Sequence, residues 1–268
     1  MSIKLTAVSN IPHIQPNDNL GAIIASALRK GGMELQNGDI LAIAQKIISK
    51  AEGRLFRLGD VVVSERAREV AVEVDKEPAI VELILSESDE ISRKRPGVLV
   101  VRHKLGFTSA NAGIDRSNVS QNSDAQNSDA QNSDAQNDDD ETVLLLPIAP
   151  DASAARLRVA MKAEFGADVG VVITDSHGRP FRLGTIGVAI GVAGIPALWD
   201  RVGESDLYGY ELQHTTVGVA DEIAAAAGLL MGQAAEGLPV VLIRGLELPA
   251  EDGLASDLVR PKEMDLYR

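Results

Sequence analysis

Apolar residues recur at two spacings along the chain, and each spacing predicts a different kind of element. Helical spacing predicts helices over residues 20–28, from residue 64, around residues 78–85, over residues 152–165 and over residues 219–231. Short apolar or β-branched runs predict strands over residues 39–44, 98–101, 143–146, 169–174, 185–192 and 239–243. Because strands and helices mix without a regular strand–helix–strand period, the pattern predicts an α+β fold with mixed β-sheets and packed helices.

Polar residues and glycines mark the ends of the first predicted helix. Residues 17–19 offer asparagine and aspartate N-caps, and Gly31 and Gly32 suit a left-handed C-cap. The helix over residues 219–231 carries almost no polar residue after Glu222. This composition predicts a buried helix, which a subunit interface could cover.

Residues 120–141 fit neither spacing. The sequence Gln-Asn-Ser-Asp-Ala repeats from Gln121 to Ala135, and the segment contains no large apolar residue. Such a segment cannot bury enough surface to offset the entropy lost on ordering. The aspartate spacing matches no calcium-binding loop. We interpret residues 120–141 as a disordered, low-complexity insert within one globular unit that spans residues 1–268.

Composition excludes several classes of protein. The formal net charge of −13 makes the chain a poor candidate for binding a nucleic-acid backbone. The absence of cysteine excludes disulfides, thiolate metal sites and cysteine nucleophiles. The first residues lack the apolar core of a signal peptide, and no apolar run approaches the roughly 18 residues that cross a bilayer. We therefore expect no nucleic-acid partner, no membrane partner and a cytoplasmic location.

Asp175 is the first residue that suggests chemistry. It follows the apolar run of residues 169–174 and precedes Ser176, His177 and Gly178. A carboxylate just beyond a buried strand suits a metal ligand at the rim of a sheet. An aspartate that only caps the turn before Gly178 fits the same sequence equally well.

Asp115 and Asn118 form a second candidate site, three residues apart in a glycine-containing turn. Magnesium prefers one or two carboxylates together with phosphate oxygens, so an aspartate here and another elsewhere would suffice. A turn in which these side chains bind only their own backbone is the alternative.

A third candidate follows the strand of residues 39–44, where Gln45, Lys46, Ser49 and Lys50 occupy a predicted loop. Their donors suit triphosphate oxygens, although exposed lysines are often only solvated. The chain lacks the glycine patterns of a P-loop and of a dinucleotide fold, zinc-binding histidine spacing and a G-x-S-x-G elbow.

Taken together, five sequence blocks resemble the CofE family of coenzyme F420-0:L-glutamate ligases. The blocks occur in the family's order: residues 47–54, residues 111–115, residues 173–179, residues 206–209, and residues 219–223 followed by residues 229–232. The resemblance runs from about residue 3 to residue 246, which is nearly the whole chain.

This resemblance implies an enzyme that uses GTP to join L-glutamate to F420-0. The terminal carboxylate of F420-0 would be activated as an acyl phosphate, and the products would be an amide, GDP and phosphate. The resemblance also implies two sites for Mg²⁺ or Mn²⁺, stimulation by K⁺, and a two-lobed protomer in an intertwined homodimer.

The same resemblance assigns roles to individual residues. It assigns the first metal to Asp115 and Asp175, and the second metal to Ser176 and Gln233. It assigns nucleotide contacts to Ile11, Pro12, His13, Ile14, Gln45, Lys46, Lys50, Asn118, Met231, Gly232 and Ala234. It assigns no side chain as catalytic.

Other functions stay open at this point. The chain could be a related amide ligase with a different carboxylate acceptor, or a non-catalytic nucleotide-binding protein of the same fold. A reductase that binds F420 as a redox cofactor would need neither a triphosphate nor paired aspartates. Asp115, Asp175 and Lys50 together favour the ligase. Because the chain ends at Arg268, we do not expect the C-terminal nitroreductase-like domain that some bacterial relatives carry.

Overall fold

The computed structural model describes residues 2–119 and 141–264. Its strands are β1 Lys4–Ala7, β2 Ile40–Ala44, β3 Leu55–Arg57, β4 Ser88–Arg95, β5 Val98–His103, β6 Thr108–Ala110, β7 Thr142–Leu144, β8 Gly170–Gly178, β9 Thr185–Ala193, β10 Trp199–Asp200, β11 Thr216–Val217 and β12 Val240–Arg244. Its α-helices are α1 Leu20–Lys30, α2 Gln45–Ala51, α3 Glu65–Val74, α4 Pro78–Ser86, α5 Pro150–Phe165 and α6 Val219–Met231. Apart from Glu141, the predicted low-complexity insert lies outside the described residues.

The chain divides into two compact units. The first unit is formed by Met1–Glu52 together with Pro147–Arg268, and the second unit is Gly53–Leu146. Helices and mixed sheets occur in the molecule as the hydrophobic pattern predicted, so the α+β class is confirmed. The predicted two-lobed protomer and homodimer stay predictions.

A five-stranded sheet organises the first unit, with strand order β1-β12-β2-β8-β9. β2 pairs with β8 in parallel, and the other neighbours in this sheet are antiparallel. It follows that β1, β2 and β8 run in one direction, whereas β12 and β9 run in the opposite direction. The carboxyl ends of the first three strands and the amino ends of the other two therefore lie at one edge of the sheet.

Helix α6 covers one face of this sheet. Its buried side chains pack against alternate residues of β2, β8 and β12, namely Ile40, Ala42, Val172, Val241 and Ile243. The apolar composition of α6 predicted a buried helix, and one face is indeed buried. On the opposite face, Leu229 is 85% exposed among the described residues.

A β-bulge in β9 allows helices to approach this strand closely from both sides. Ile173 pairs with Gly191 and Thr174 pairs with Ala189, so Ile190 is the extra residue. Before the bulge, a Cβ on Gly187 would overlap the carbonyl group of Ala224 in α6. After the bulge, a Cβ on Gly191 would lie 2.7 Å from the carbonyl oxygen of Pro150 in α5. The bulge thus reverses the faces of the strand, and the two glycines admit one helix each.

Two aspartates satisfy backbone amides beside this bulge. The Ala189 N–H donates to Asp221 Oδ1 at 2.8 Å, and the Val192 N–H donates to Asp151 Oδ1 at 2.7 Å. Asp221 belongs to α6 and Asp151 to α5, so each carboxylate ties its helix to the strand. Burial raises the pKa of Asp221, while the amide of Ala189 and the nearby His177 oppose this effect.

The second unit has its own core. Its sheets are β4-β5-β6 and β3-β7, and α3 packs with α4 over Leu99, Val101 and Val143. Helix α3 begins after Ser64, whose hydroxyl accepts a hydrogen bond from the Ala67 N–H at 3.2 Å. The apolar residues at helical spacing in α3 (Ala67, Val70, Ala71 and Val74) are buried.

Two local predictions were wrong. Residues 45–50 are not a loop but most of helix α2. No side chain caps the start of α2, and its buried Ile47 and Ile48 hold it in place through tertiary packing. Asp175 does not follow the end of a strand, because β8 continues to Gly178 through its pairing with β9. Within the described residues, no helix combines the length and apolar character needed to cross a membrane.

We predict that Asp221→Ala lowers the free energy of unfolding by about 1–3 kcal/mol, because the buried Ala189 amide loses its acceptor. Glu222→Ala, which removes the exposed neighbouring carboxylate, should change it by less than about 0.5 kcal/mol. Urea denaturation of the three proteins measures both changes. Equal stability of the two variants would contradict the role of Asp221.

Asp221→Asn should keep an acceptor for the amide but remove the charge. Because the folded pKa is raised, the stability contributed by the protonated form is fully present below the unfolded value of 3.8 and is lost as the pH rises through the folded pKa. The wild type should therefore lose stability relative to Asp221→Asn as the pH rises from 3.8 through the folded pKa. The free energy of unfolding of Asp221→Asn minus that of the wild type should increase accordingly. Denaturation at several pH values tests the sign.

Candidate functional site

Polar segments from four parts of the first unit leave its sheet at the same edge. Ala44 pairs with Thr174, so Gln45 and Asp175 follow directly at this edge. The Ala44 N–H donates to the carbonyl of Pro239 at 2.8 Å, and the Val8 N–H donates to the carbonyl of Val240 at 2.8 Å. The segment after β1 and the connection between α6 and β12 therefore lie there too. We call this the carboxyl-terminal edge, formed by residues 8–14, 45–50, 175–179 and 231–239.

The N-terminal part of this edge is only partly accessible. Pro12 and His13 are exposed and Ile11 is half-buried, whereas Ile14 is 3% exposed and belongs to the core. A ligand at this edge could meet Pro12 and His13 through their side chains. It could meet Ile14 only through the backbone.

Helix α2 places two lysines four residues apart beside the sheet. Lys46 and Lys50 are half-buried, and residues one turn apart on a helix lie on the same face. Burial lowers the pKa of Lys50, and the nearby Lys46 ammonium lowers it further. An anion bound beside Lys50 would relieve both effects.

Gln45 has a structural role at the start of the same helix. Its side chain is 1% exposed, and its Oε1 accepts a hydrogen bond from the Ser49 hydroxyl at 2.8 Å. The Gln45 side chain therefore orients the first turn of α2.

On β8, Asp175 and His177 form a pair of side chains on one face of the strand. His177 Nε2 lies 2.9 Å from Asp175 Oδ2, and the Asp175 side chain is 9% exposed. Ser176 is exposed and, because side chains alternate along a strand, it points to the opposite face. The imidazole thus fixes a nearly buried carboxylate, an arrangement that is common for metal-ligating groups.

In the connection between α6 and β12, backbone amides bind the carboxylate of Glu236 from the same connection. The Ala234 N–H donates to Glu236 Oε2 at 2.8 Å. The amides of Ala234, of Glu236 itself and of Gln233 lower the pKa of the Glu236 carboxyl. Gly232 has φ +69°, and a Cβ there would overlap the Glu236 carboxylate. Converging backbone amides of this kind form a site for negatively charged oxygens, while the Gln233 and Ala234 side chains are exposed.

Asp115 and Asn118 lie in the second unit, after a run of left-handed residues. Asn111, Ala112 and Gly113 have φ values of +52°, +53° and +67°, which are costly for residues other than glycine. Asn111 Oδ1 accepts a hydrogen bond from the Leu99 N–H at 3.2 Å. Asp115 exchanges two backbone hydrogen bonds of 2.9 Å with Leu144, so its backbone is fixed while its side chain is half-buried. Asn118 is exposed and has φ +58°.

The donors in these segments fit a metal that shares its coordination with a ligand. Within each unit, the described residues include no group of three or more His, Asp or Glu side chains that could hold a metal ion by themselves. Magnesium, however, needs only one or two protein carboxylates when phosphate oxygens complete its coordination. Asp175 offers such oxygens at the carboxyl-terminal edge.

Sequence reasoning gave no role to three residues of this edge. His177 has no zinc-binding spacing to another histidine, although its spacing of two from Asp175 is the strand period that brings the two side chains together. Glu236 and Arg179 carried no comparable signal, because their partners are backbone groups.

Comparison with known proteins identifies close relatives. Residues 9–245 match the family model described as F420-0:Gamma-glutamyl ligase. The chain is 43% identical to the coenzyme F420:L-glutamate ligase of Methanothermobacter thermautotrophicus over 270 residues, which cover 100% of both chains. It is 40% identical to the enzyme of the same name from Archaeoglobus fulgidus, over 100% of this chain and 97% of that one. The identity to the Methanocaldococcus jannaschii enzyme of that name is 42%, over 87% and 86% of the chains.

We predict that Asp175→Asn weakens Mn²⁺ binding at least tenfold, because loss of a hydrogen-bonded partner of a ligand alone costs roughly 10–100-fold. Electron paramagnetic resonance of free Mn²⁺, with and without a nucleoside triphosphate, measures the affinity. Asp200→Asn is the matched control, because its side chain is an exposed acceptor for the Val202 N–H in the same unit. Unchanged Mn²⁺ affinity in Asp175→Asn would refute the assignment.

Proposed function

This chain belongs to the F420-0:gamma-glutamyl ligase family, and from that premise we propose that it joins L-glutamate to coenzyme F420-0 with GTP as the energy source. The observation that carries the proposal is the similarity to the Methanothermobacter enzyme, which is named a coenzyme F420:L-glutamate ligase, over the whole of both chains. The anion-binding groups at the carboxyl-terminal edge support the use of a triphosphate.

The proposed reaction has two steps. A carboxylate oxygen of F420-0 attacks the γ-phosphorus of GTP, forming an acyl phosphate and releasing GDP. The amine of L-glutamate then attacks the acyl carbon, the carbon–oxygen bond to phosphate breaks, and the amine gives up a proton as the amide forms. Both steps bring negative groups together, so binding sites with fixed positive charge and oriented N–H groups lower the barrier.

The lysines of α2 are suited to the triphosphate. The positive charge of Lys50 is destabilised by burial and by Lys46, and triphosphate oxygens would stabilise it. The backbone amides that hold Glu236 offer a second group of donors, which phosphate oxygens could take in place of the carboxylate. We keep for the nucleotide the residues that the family resemblance assigns, namely Ile11, Pro12, His13, Ile14, Gln45, Lys46, Lys50, Asn118, Met231, Gly232 and Ala234. Asn118 belongs to the second unit, and its assignment rests on the resemblance alone.

We keep the two Mg²⁺ or Mn²⁺ sites that the family resemblance assigns, the first to Asp115 and Asp175 and the second to Ser176 and Gln233. Asp115 belongs to the second unit, and its part in the first site rests on the resemblance alone. When bound, a divalent ion would neutralise phosphate charge and polarise the γ-phosphorus. His177 would keep the Asp175 carboxylate oriented towards such an ion. The exposed amide of Gln233 would add a neutral oxygen ligand, and the proposal also includes stimulation by K⁺.

Exposed apolar side chains support the proposed homodimer. Leu207 and Tyr208, in the connection between β10 and β11, are 97% and 94% exposed. In the connection between β8 and β9, Phe181 and Leu183 are 95% and 96% exposed. Exposed large apolar side chains on these two connections are typical of surfaces that a partner covers.

Phosphate release from GTP tests the proposed function. The complete mixture contains F420-0, L-glutamate, Mn²⁺ and K⁺, and each component is omitted in turn. Release that requires both F420-0 and glutamate, with a product heavier by a glutamyl unit, supports the ligase. Release without F420-0 indicates an NTPase, and absence of release under every condition favours a nucleotide-binding protein without this activity.

Lys50→Gln should raise the KM for GTP by about 10–100-fold, since a hydrogen bond to a charged group contributes about 1.5–3 kcal/mol. Lys30→Gln serves as the control, because Lys30 is exposed at the end of α1 in the same unit. Steady-state kinetics with varied GTP measure both variants. An equal KM for GTP in the two variants would exclude phosphate contact by Lys50.

The homodimer prediction concerns the β10–β11 connection. In sedimentation equilibrium we expect a wild-type mass of two chains, and a shift towards one chain in Leu207→Asp combined with Tyr208→Asp, since burying two carboxylates opposes association. Val72→Asp is the control, because Val72 is 85% exposed in the second unit. A wild type that sediments as a single chain would reject the dimer.

A further inference from the structure

Among the described residues of the carboxyl-terminal edge, Arg179 has a buried side-chain donor without an acceptor. It follows the last residue of β8 and is half-buried. Its Nη2 donates to the carbonyl of Leu183 at 3.1 Å. Its Nε is buried, and it has no acceptor among the described residues. Because guanidinium is always charged and a buried N–H without an acceptor is costly, this donor calls for an oxygen partner.

The surrounding connection fixes the guanidinium in place. Residues 179–184 join β8 to β9, with positive φ values of +59° at Phe181 and +80° at Gly184. The Arg182 N–H donates to the Arg179 carbonyl at 3.3 Å, so the connection folds back on itself. This turn brings the Leu183 carbonyl to Arg179 Nη2, which orients the side chain, while Nε–H has no acceptor among the described residues.

Arg179 lies at the same edge of the sheet as Asp175, where we place the substrates of the proposed reaction. It is four residues beyond Asp175, at the amino end of β9 and the carboxyl end of β8. Every substrate of the proposed reaction carries oxyanions: the triphosphate of GTP, the carboxylate of F420-0 and the carboxylates of glutamate. Arginine binds such planar pairs of oxygens with two parallel N–H donors, which lysine cannot do.

We propose that Arg179 binds a carboxylate or phosphate group of a substrate through its Nε–H and an adjacent Nη–H. This inference rests on the proposed ligase function and adds a substrate-binding residue to it. The bound oxyanion supplies the acceptor that Nε lacks and neutralises the guanidinium charge at this edge. Three substrates carry suitable groups, so kinetics with each substrate varied separately identify the one that Arg179 binds.

The test compares Arg179→Gln and Arg179→Lys with Arg182→Gln. Arg182 is exposed on the same connection, so its variant controls for loss of one positive charge there. We expect Arg179→Gln to raise the KM for one substrate by about 10–100-fold, with a smaller change in kcat, and Arg182→Gln to stay within about twofold. The KM of Arg179→Lys should lie between the KM values of these two variants, because lysine restores the charge but not the paired donors.

The substrate whose KM rises identifies the group that Arg179 binds. A raised KM for GTP identifies a phosphate, and a raised KM for F420-0 or for glutamate identifies a carboxylate-bearing substrate. Isothermal titration of each substrate provides the affinity if turnover of Arg179→Gln is too slow for a KM. Thermal unfolding confirms that the variants are folded, and if Arg179→Gln is not, Arg179→Lys carries the comparison.

The outcomes separate this inference from the proposed function. If the wild type turns over but Arg179→Gln and Arg179→Lys bind every substrate as Arg182→Gln does, the inference is overturned and the ligase function stands. If the wild type shows no glutamate-dependent phosphate release, the proposed function fails, and the inference fails with it.

Discussion

The parallel pairing of β2 with β8 is the constraint on which the candidate site depends. Parallel neighbours end at the same edge of a sheet, so this pairing places Gln45 directly beside Asp175. The antiparallel β12 enters the sheet at that edge, which brings the Glu236 connection to the same place. Residues separated by about two hundred positions in sequence thereby become neighbours, without any of them being close to another along the chain.

The bulge in β9 extends this arrangement to the helices. An unbroken strand would present Gly187 and Gly191 on one face, whereas the extra residue Ile190 turns them to opposite faces. Helices α5 and α6 can then approach the strand from both sides. The amides released by the bulge are satisfied by Asp151 and Asp221, so the irregularity is stabilised by the same helices that it admits.

Electrostatics explain why this edge suits negatively charged ligands in an otherwise acidic chain. Lys50 is destabilised by burial and by Lys46, the amides around Glu236 already hold a carboxylate, and Arg179 Nε lacks an acceptor among the described residues. An oxyanion would stabilise the charge of Lys50 and supply the acceptor for Arg179, and it could replace the carboxylate at the Glu236 amides. Their combination in one unit agrees with the proposed reaction, whose substrates are anionic.

Sequence by itself determined the α+β class, the main helices and strands, and the residues of the family motifs, because these follow from local periodicity and residue type. Only the tertiary structure decided that residues 45–50 form a helix, that β8 continues beyond Asp175, and that His177 pairs with that carboxylate. Helix α2 lacks a side-chain cap, and Glu236 and Arg179 bind backbone groups whose positions depend on the fold. Local sequence shows which side chains alternate along a strand, whereas strand pairing determines which side chains of different strands come into contact.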